Sequence, residues 1–83
     1  MKQVTFTKGA LESLRKMQKS RATAIINKID AFASGQSVNA ISVKGTDFIR
    51  IRVGNWRIIL DDTGIVIAVL KIAPRGDVYK NRN

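Results

Sequence analysis

Two segments of this chain carry arginines at strand spacing: Phe48 to Val53 reads FIRIRV and Trp56 to Asp61 reads WRIILD. Alternate residues of a strand share a face. Between them, Gly54-Asn55 is a two-residue hairpin signal. With that loop, Val53 pairs with Trp56, Arg52 with Arg57, Ile51 with Ile58, Arg50 with Ile59 and Ile49 with Leu60. One face then holds Phe48, Arg50, Arg52, Arg57 and Ile59; the other is wholly apolar. Like charges directly opposite each other are destabilising, by about 0.2–1 kcal/mol. Three arginines so placed, with no carboxylate expected nearby, point to an external anion. Planar guanidinium forks bind phosphate oxygens in pairs. The alternative is a solvated outer face on which the arginine stems cover Ile59 and Val69.

Composition narrows the anion and the chemistry. The chain has 15 Lys+Arg against 6 Asp+Glu, a net charge of +9, in 83 residues. Such a balance suits nucleic acid, an anionic membrane or an acidic protein. There is no cysteine and no histidine, so neither a thiolate metal site nor an imidazole acid/base is available. No metal and no cofactor is expected. One nucleic-acid reaction still fits: attack of an RNA 2′-hydroxyl on the adjacent phosphate, giving a 2′,3′-cyclic phosphate and a 5′-hydroxyl. It requires charge stabilisation at phosphorus, a base and an acid. Arg50, Arg52 and Arg57 can supply the first. Arg75 and Tyr79 follow in Pro74-Arg75-Gly76-Asp77-Val78-Tyr79. A phenol of reference pKa about 10, lowered by neighbouring cations, is the better base. Arg75 can protonate or neutralise the leaving oxygen. Packing against the sheet edge is the alternative for Tyr79.

These residues need a scaffold, and the chain is long enough for one small domain, 1–83. Val4 to Thr7 reads as a short strand. Thr7 is a candidate N-cap for a helix over Lys8 to Gln18 with Leu11, Leu14 and Met17 on one stripe. Ser20 is a candidate cap for a second helix bearing Ala22, Ile25, Ile26, Ile29, Phe32 and Ala33, with Gly35 just past its end. The tight Lys19-Ser20 joint predicts an antiparallel helix hairpin, ringed by Arg15, Lys16, Lys19 and Arg21. Ile65 to Ala73 (IVIAVLKIA) reads as a central strand. A three-residue loop (Asp62, Thr63, Gly64) pairs Arg57 with Val69. It places Val66, Ala68, Leu70 and Ile72 in the core and Lys71 on the arginine face. A two-residue loop would flip the strand and bury Lys71. Trp56 falls on the core side. The predicted fold class is α+β, ordered β-α-α-β-β-β, an antiparallel sheet with an N-terminal helix hairpin on one face. With no signal-peptide pattern and no long apolar run, the expected location is cytoplasmic, without membrane contact.

Val43 to Ile59 (VKGTDFIRIRVGNWRII) and Val69 to Tyr79 (VLKIAPRGDVY), with the helix hairpin ahead of them, resemble the RelE/ParE superfamily of bacterial toxin–antitoxin toxins. The RVGNWRII segment is the most specific part, and the resemblance spans nearly the whole chain. It implies a RelE-like toxin of a type II system, an mRNA endoribonuclease dependent on the ribosome and silenced by an antitoxin from the same operon, expected to be acidic. Arg50 and Arg52 would bind phosphate with Lys71 beside them; Arg57, Arg75 and Tyr79 would be catalytic; the basic helices would contact rRNA. Pro74 stands where many relatives have histidine, Arg50 where a lysine is frequent, and the Arg75–Tyr79 spacing is short for the family. A ParE-like DNA gyrase inhibitor that cleaves no RNA shares the fold. A non-enzymatic module docking an acidic antitoxin over Phe48, Ile59, Ile67 and Val69 is the third reading.

Overall fold

Thr7 organises the N-terminal third of the molecule. In the computed structural model, which describes residues 2–36 and 38–74, strand β1 (Gln3–Phe6) runs into Thr7, and helix α1 (Lys8–Lys16) begins there. The Thr7 hydroxyl accepts from the Ala10 N–H (3.2 Å) and donates to the Leu70 carbonyl (2.9 Å). Its own N–H donates to the Val69 carbonyl at 3.0 Å. One side chain thus caps α1 and ties it to the last strand. Thr7→Ala is expected to cost about 1–2 kcal/mol, the upper range for a lost cap, and Thr7→Ser much less; denaturant midpoints measure both.

Helix α2 (Lys19–Ala33) starts two residues earlier than the sequence suggests. Its N-cap is Gln18, whose side chain makes no capping bond, and Ser20 lies inside the first turn. The joint between the helices is Met17-Gln18. Gly35, at φ +84°, ends α2 as expected, its N–H donating to the Phe32 carbonyl at 3.0 Å. Ile25, Ile29 and Ala33 are buried, whereas Ile26 stays partly exposed. In α1 the buried residue is Ala10; Leu11 lies outward, and Leu14 and Met17 pack at the margin of the core.

The sheet has five strands, ordered β1-β5-β4-β3-β2, with β2 Ala40–Ser42, β3 Phe48–Val53, β4 Trp56–Asp62 and β5 Val66–Pro74. Two features correct the expected architecture. β1 pairs parallel to β5, so the sheet is mixed rather than wholly antiparallel. β2 is an added strand at the β3 edge, pairing Ile41 with Arg50. The α+β class, the helix hairpin and the one-sided core hold: Ala10, Ile25 and Ile29 pack on Ile51, Ile58, Leu60, Ile67, Val69 and Ile72. No helix among the described residues is long and apolar enough to cross a membrane.

The β3–β4 register is the expected one, Arg52 opposite Arg57 and Val53 opposite Trp56. The β4–β5 register is not. The turn is shorter: Thr63 N–H donates to the Val66 carbonyl (3.1 Å), leaving Gly64, at φ +95°, and Ile65 at the tip. This puts Ile67 and Val69, rather than Val66 and Ala68, into the core. The register then shifts between Ile59 and Leu60, whose partners are Lys71 and Val69. Leu70 is the extra residue of a β-bulge, and its carbonyl is the one held by Thr7. The bulge restores the phase, so Lys71 returns to the arginine face and Ile72 to the core. Arg57 consequently pairs with Ala73, not Val69.

Lys2 fastens the opposite corner. Its N–H donates to the Ala33 carbonyl (3.1 Å), and its ammonium meets the Asp62 carboxylate at 2.8 and 3.1 Å. The hydrogen bond from Lys2, then that from the Gly64 N–H, hold the Asp62 carboxyl below its ordinary 3.8. A depressed folded-state value contributes stability above the unfolded pKa that is lost as pH falls through the folded one. Wild type is therefore expected to exceed Asp62→Asn in stability at pH 6, with the margin shrinking below about pH 4. Urea midpoints at pH 6 and pH 3 check this. Because the Lys2 side chain is 37% exposed, the effect is small and screened by salt.

Candidate functional site

The face of the sheet turned away from the helices can be laid out in transverse rows from the strand registers. The first row is Arg52, Arg57 and Ala73. The second is Ile41, Arg50, Ile59 and Lys71. The third is Phe48, Asp61, Ala68 and Thr5. Successive rows lie about 7 Å apart, two residues along a strand. Arg50, Arg52, Arg57 and Lys71, the four candidates within the described residues, therefore do come together on one face. Arg75 and Tyr79 lie outside the described residues.

Burial differentiates the four. Arg57, on the central strand β4, is only 7% exposed, beside a buried Ala73. Arg50 is half-buried, and its Nε is shielded with no hydrogen-bond partner among the described residues. A buried polar group left without a partner requires an explanation, and a role in binding an external anion is one. Arg52 and Lys71 are exposed. Arg50, Arg52 and Lys71 make no ion pair among the described residues; the one recorded there, Lys2–Asp62, sits at the far corner. Arg52 and Arg57 stand directly opposite each other across the hairpin, a like-charge opposition that a bound phosphate would relieve.

Two residues change the picture drawn from the sequence. Asp61 shares this face, directly across from Phe48, so the surface does contain a carboxylate. The signal was present: Asp61 has the same strand parity as Arg57 and Ile59. Ile67 and Val69 leave the face for the core because of the shorter turn. The apolar content of the arginine face is instead Phe48, Ile59 and Ile41, the last contributed by the unforeseen strand β2. Trp56 is on the helix side as expected. It packs against the core and lines an open cavity of about 480 Å³ between α1 and the end of β5, with Lys16, Met17 and Pro74. Among the described residues, no group of three His, Cys, Asp or Glu side chains could hold a metal.

The fold is shared with known proteins. The family model of the ParE toxin of the type II toxin–antitoxin system, parDE, matches residues 4–79. The RelB–RelE antitoxin–toxin complex from Methanococcus jannaschii is similar over 95% of this chain and 99% of the matched one, at 23% identity and a TM-score of 0.79. The isolated E. coli RelE toxin is similar over 99% and 95%, at 19% identity and a TM-score of 0.77. The archaeal RelE–RelB complex from Pyrococcus horikoshii is similar over 90% and 96%, at 25% identity and a TM-score of 0.73. No curated protein matches the sequence significantly. The fold, the one-sided core and the family match over residues 4–79 place this chain in the ParE toxin family of type II toxin–antitoxin systems, within the RelE/ParE superfamily.

Proposed function

We propose that this toxin is a ribosome-dependent endoribonuclease that cuts mRNA by attack of a 2′-hydroxyl on the adjacent phosphate. The observation that carries the reading is the direct opposition of Arg52 and Arg57, with Arg50 one row away on the same face. Arg50 and Arg52 grip the non-bridging oxygens, with Lys71 on the neighbouring strand, and Arg57 stabilises the charge that builds on the phosphorane. Tyr79, as base, takes the 2′-hydroxyl proton. The new P–O2′ bond forms as the P–O5′ bond breaks, leaving a 2′,3′-cyclic phosphate. The departing 5′-oxygen is protonated or neutralised by Arg75. DNA, lacking the 2′-hydroxyl, is not a substrate. Arg15, Lys16, Lys19 and Arg21, all exposed around the helix joint, contact rRNA through phosphate charge. With a net charge of +9, the chain suits an acidic antitoxin, as would be fitting for a relative of toxins seen in RelB–RelE complexes.

The experiment is to map mRNA 5′ ends after induced expression. Cuts phased to codons are expected. A second reading, inhibition of DNA gyrase, is favoured by the parDE description of the family. Loss of DNA supercoiling with intact mRNA would establish it in place of the first.

A further inference from the structure

A surface built only to hold a polyanion has no use for a carboxylate, yet Asp61 lies on the arginine face, diagonal to Arg50 across the β3–β4 pair. Its neighbour Asp62 is fully engaged, by Lys2 and by the Gly64 N–H. The Asp61 carboxylate makes no hydrogen bond and no ion pair with any described residue. Directly opposite it stands Phe48, 37% exposed although it is a large apolar side chain in a strand. Such pairs place their Cβ atoms about 4.5–5.5 Å apart. The Phe48 backbone is well fixed: its N–H donates to Thr46 Oγ1 (3.0 Å), and its carbonyl accepts from the Val43 N–H (2.9 Å). An exposed ring on a fixed backbone beside a free acceptor, one row from Arg50 and two from Arg52 and Arg57, has the composition of a base-reading site. Aromatic faces stack on unpaired bases, and side chains hydrogen-bond their Watson–Crick edges.

We infer that Phe48 and Asp61 form a nucleobase subsite that selects guanine in the nucleotide flanking the gripped phosphate. Phe48 stacks on the base. The two carboxylate oxygens of Asp61 accept from guanine N1–H and N2–H, the one Watson–Crick edge that offers two adjacent donors. Adenine and cytosine offer Asp61 a single amino donor each, and uracil a single imide N–H. The subsite rests on the RNA-cleavage reading for its purpose, but its binding chemistry can be tested apart from it.

The probes are four non-cleavable 2′-O-methyl trinucleotides, U-N-U with N varied, titrated against the purified chain at low salt. The guanine probe is expected to bind about tenfold more tightly than the adenine probe, as for one good bidentate contact. Asp61→Asn should bring the two affinities together. Phe48→Ala should weaken all four by about tenfold, the loss of one stacked base. Equal affinities for the four probes, or no measurable binding of any, overturn the subsite. So does a guanine preference that survives in Asp61→Asn, which would leave Asp61 only balancing Arg50. If Phe48→Ala weakens antitoxin binding and leaves the trinucleotides untouched, the patch is a protein interface and the inference fails. In parallel, the wild type's mRNA ends are mapped. Absence of cleavage there, with the guanine preference intact, counts against the ribonuclease reading alone. Cleavage whose base preference is unmoved by Asp61→Asn counts against the subsite alone.

Discussion

Arg57→Ala is expected to lower single-turnover mRNA cleavage on ribosomes by about 100- to 1,000-fold, the loss associated with one preorganised oxyanion donor. The size of the effect follows from position. Arg57 is on the central strand, 7% exposed, where charge is poorly screened. Arg52, directly opposite, is open to solvent, so Arg52→Ala should weaken substrate binding more than the chemical step. Removing a buried guanidinium also disturbs folding, so Arg57→Lys is the necessary companion. It keeps the charge and loses the fork. Recovery of most of the rate by lysine would mean that charge alone suffices. Comparable rates in wild type and Arg57→Ala, with unfolding midpoints matched, would remove Arg57 from the mechanism.

The second large effect is expected at Tyr79. Tyr79→Phe should lower cleavage by about 100- to 10,000-fold, the usual contribution of a positioned general base, while the unfolding midpoint stays in place. The pH profile carries the sign. A base must be deprotonated to act, so the wild-type rate should rise with pH toward the ordinary phenol pKa of about 10. The residual rate of Tyr79→Phe should lack that limb. An unchanged profile would assign the base elsewhere.

The β3–β4 hairpin was legible to the residue because Gly54-Asn55 fixes the loop and a one-residue slip would have put Arg52 and Arg57 into the core. The helix hairpin was legible from the spacing of Ile25, Ile29 and Ala33. β5 was not, because IVIAVLKIA is apolar on both faces. Its pattern cannot distinguish two phases, still less announce a bulge at Leu70 that switches between them. Two errors, in the loop and in the bulge, offset each other, which is why Lys71 was placed on the right face from the wrong pairing. β2 is three residues, Ala-Ile-Ser, too short for any periodicity. The direction of β1 is set by a partner near the other end of the chain, and no local signal encodes that. Asp61 is hard to read for a different reason: near the end of a strand, it reads as turn chemistry beside Asp62-Thr63-Gly64.

The parallel seam between β1 and β5 bears on how the protein is made. Thr7 and Leu70, which meet across it, are 63 residues apart, and pairing of such sequence-distant segments is the slow part of folding. During synthesis the N-terminal strand and both helices emerge without the strand that β1 must join, and α1 is left with its apolar underside uncovered. The arginine rows are likewise incomplete, since β4 has β5 as one of its two neighbours. A nascent copy therefore has no finished arginine face while it is still being translated. Until β5 is free to dock, β1 has no neighbour and the arginine face lacks Lys71.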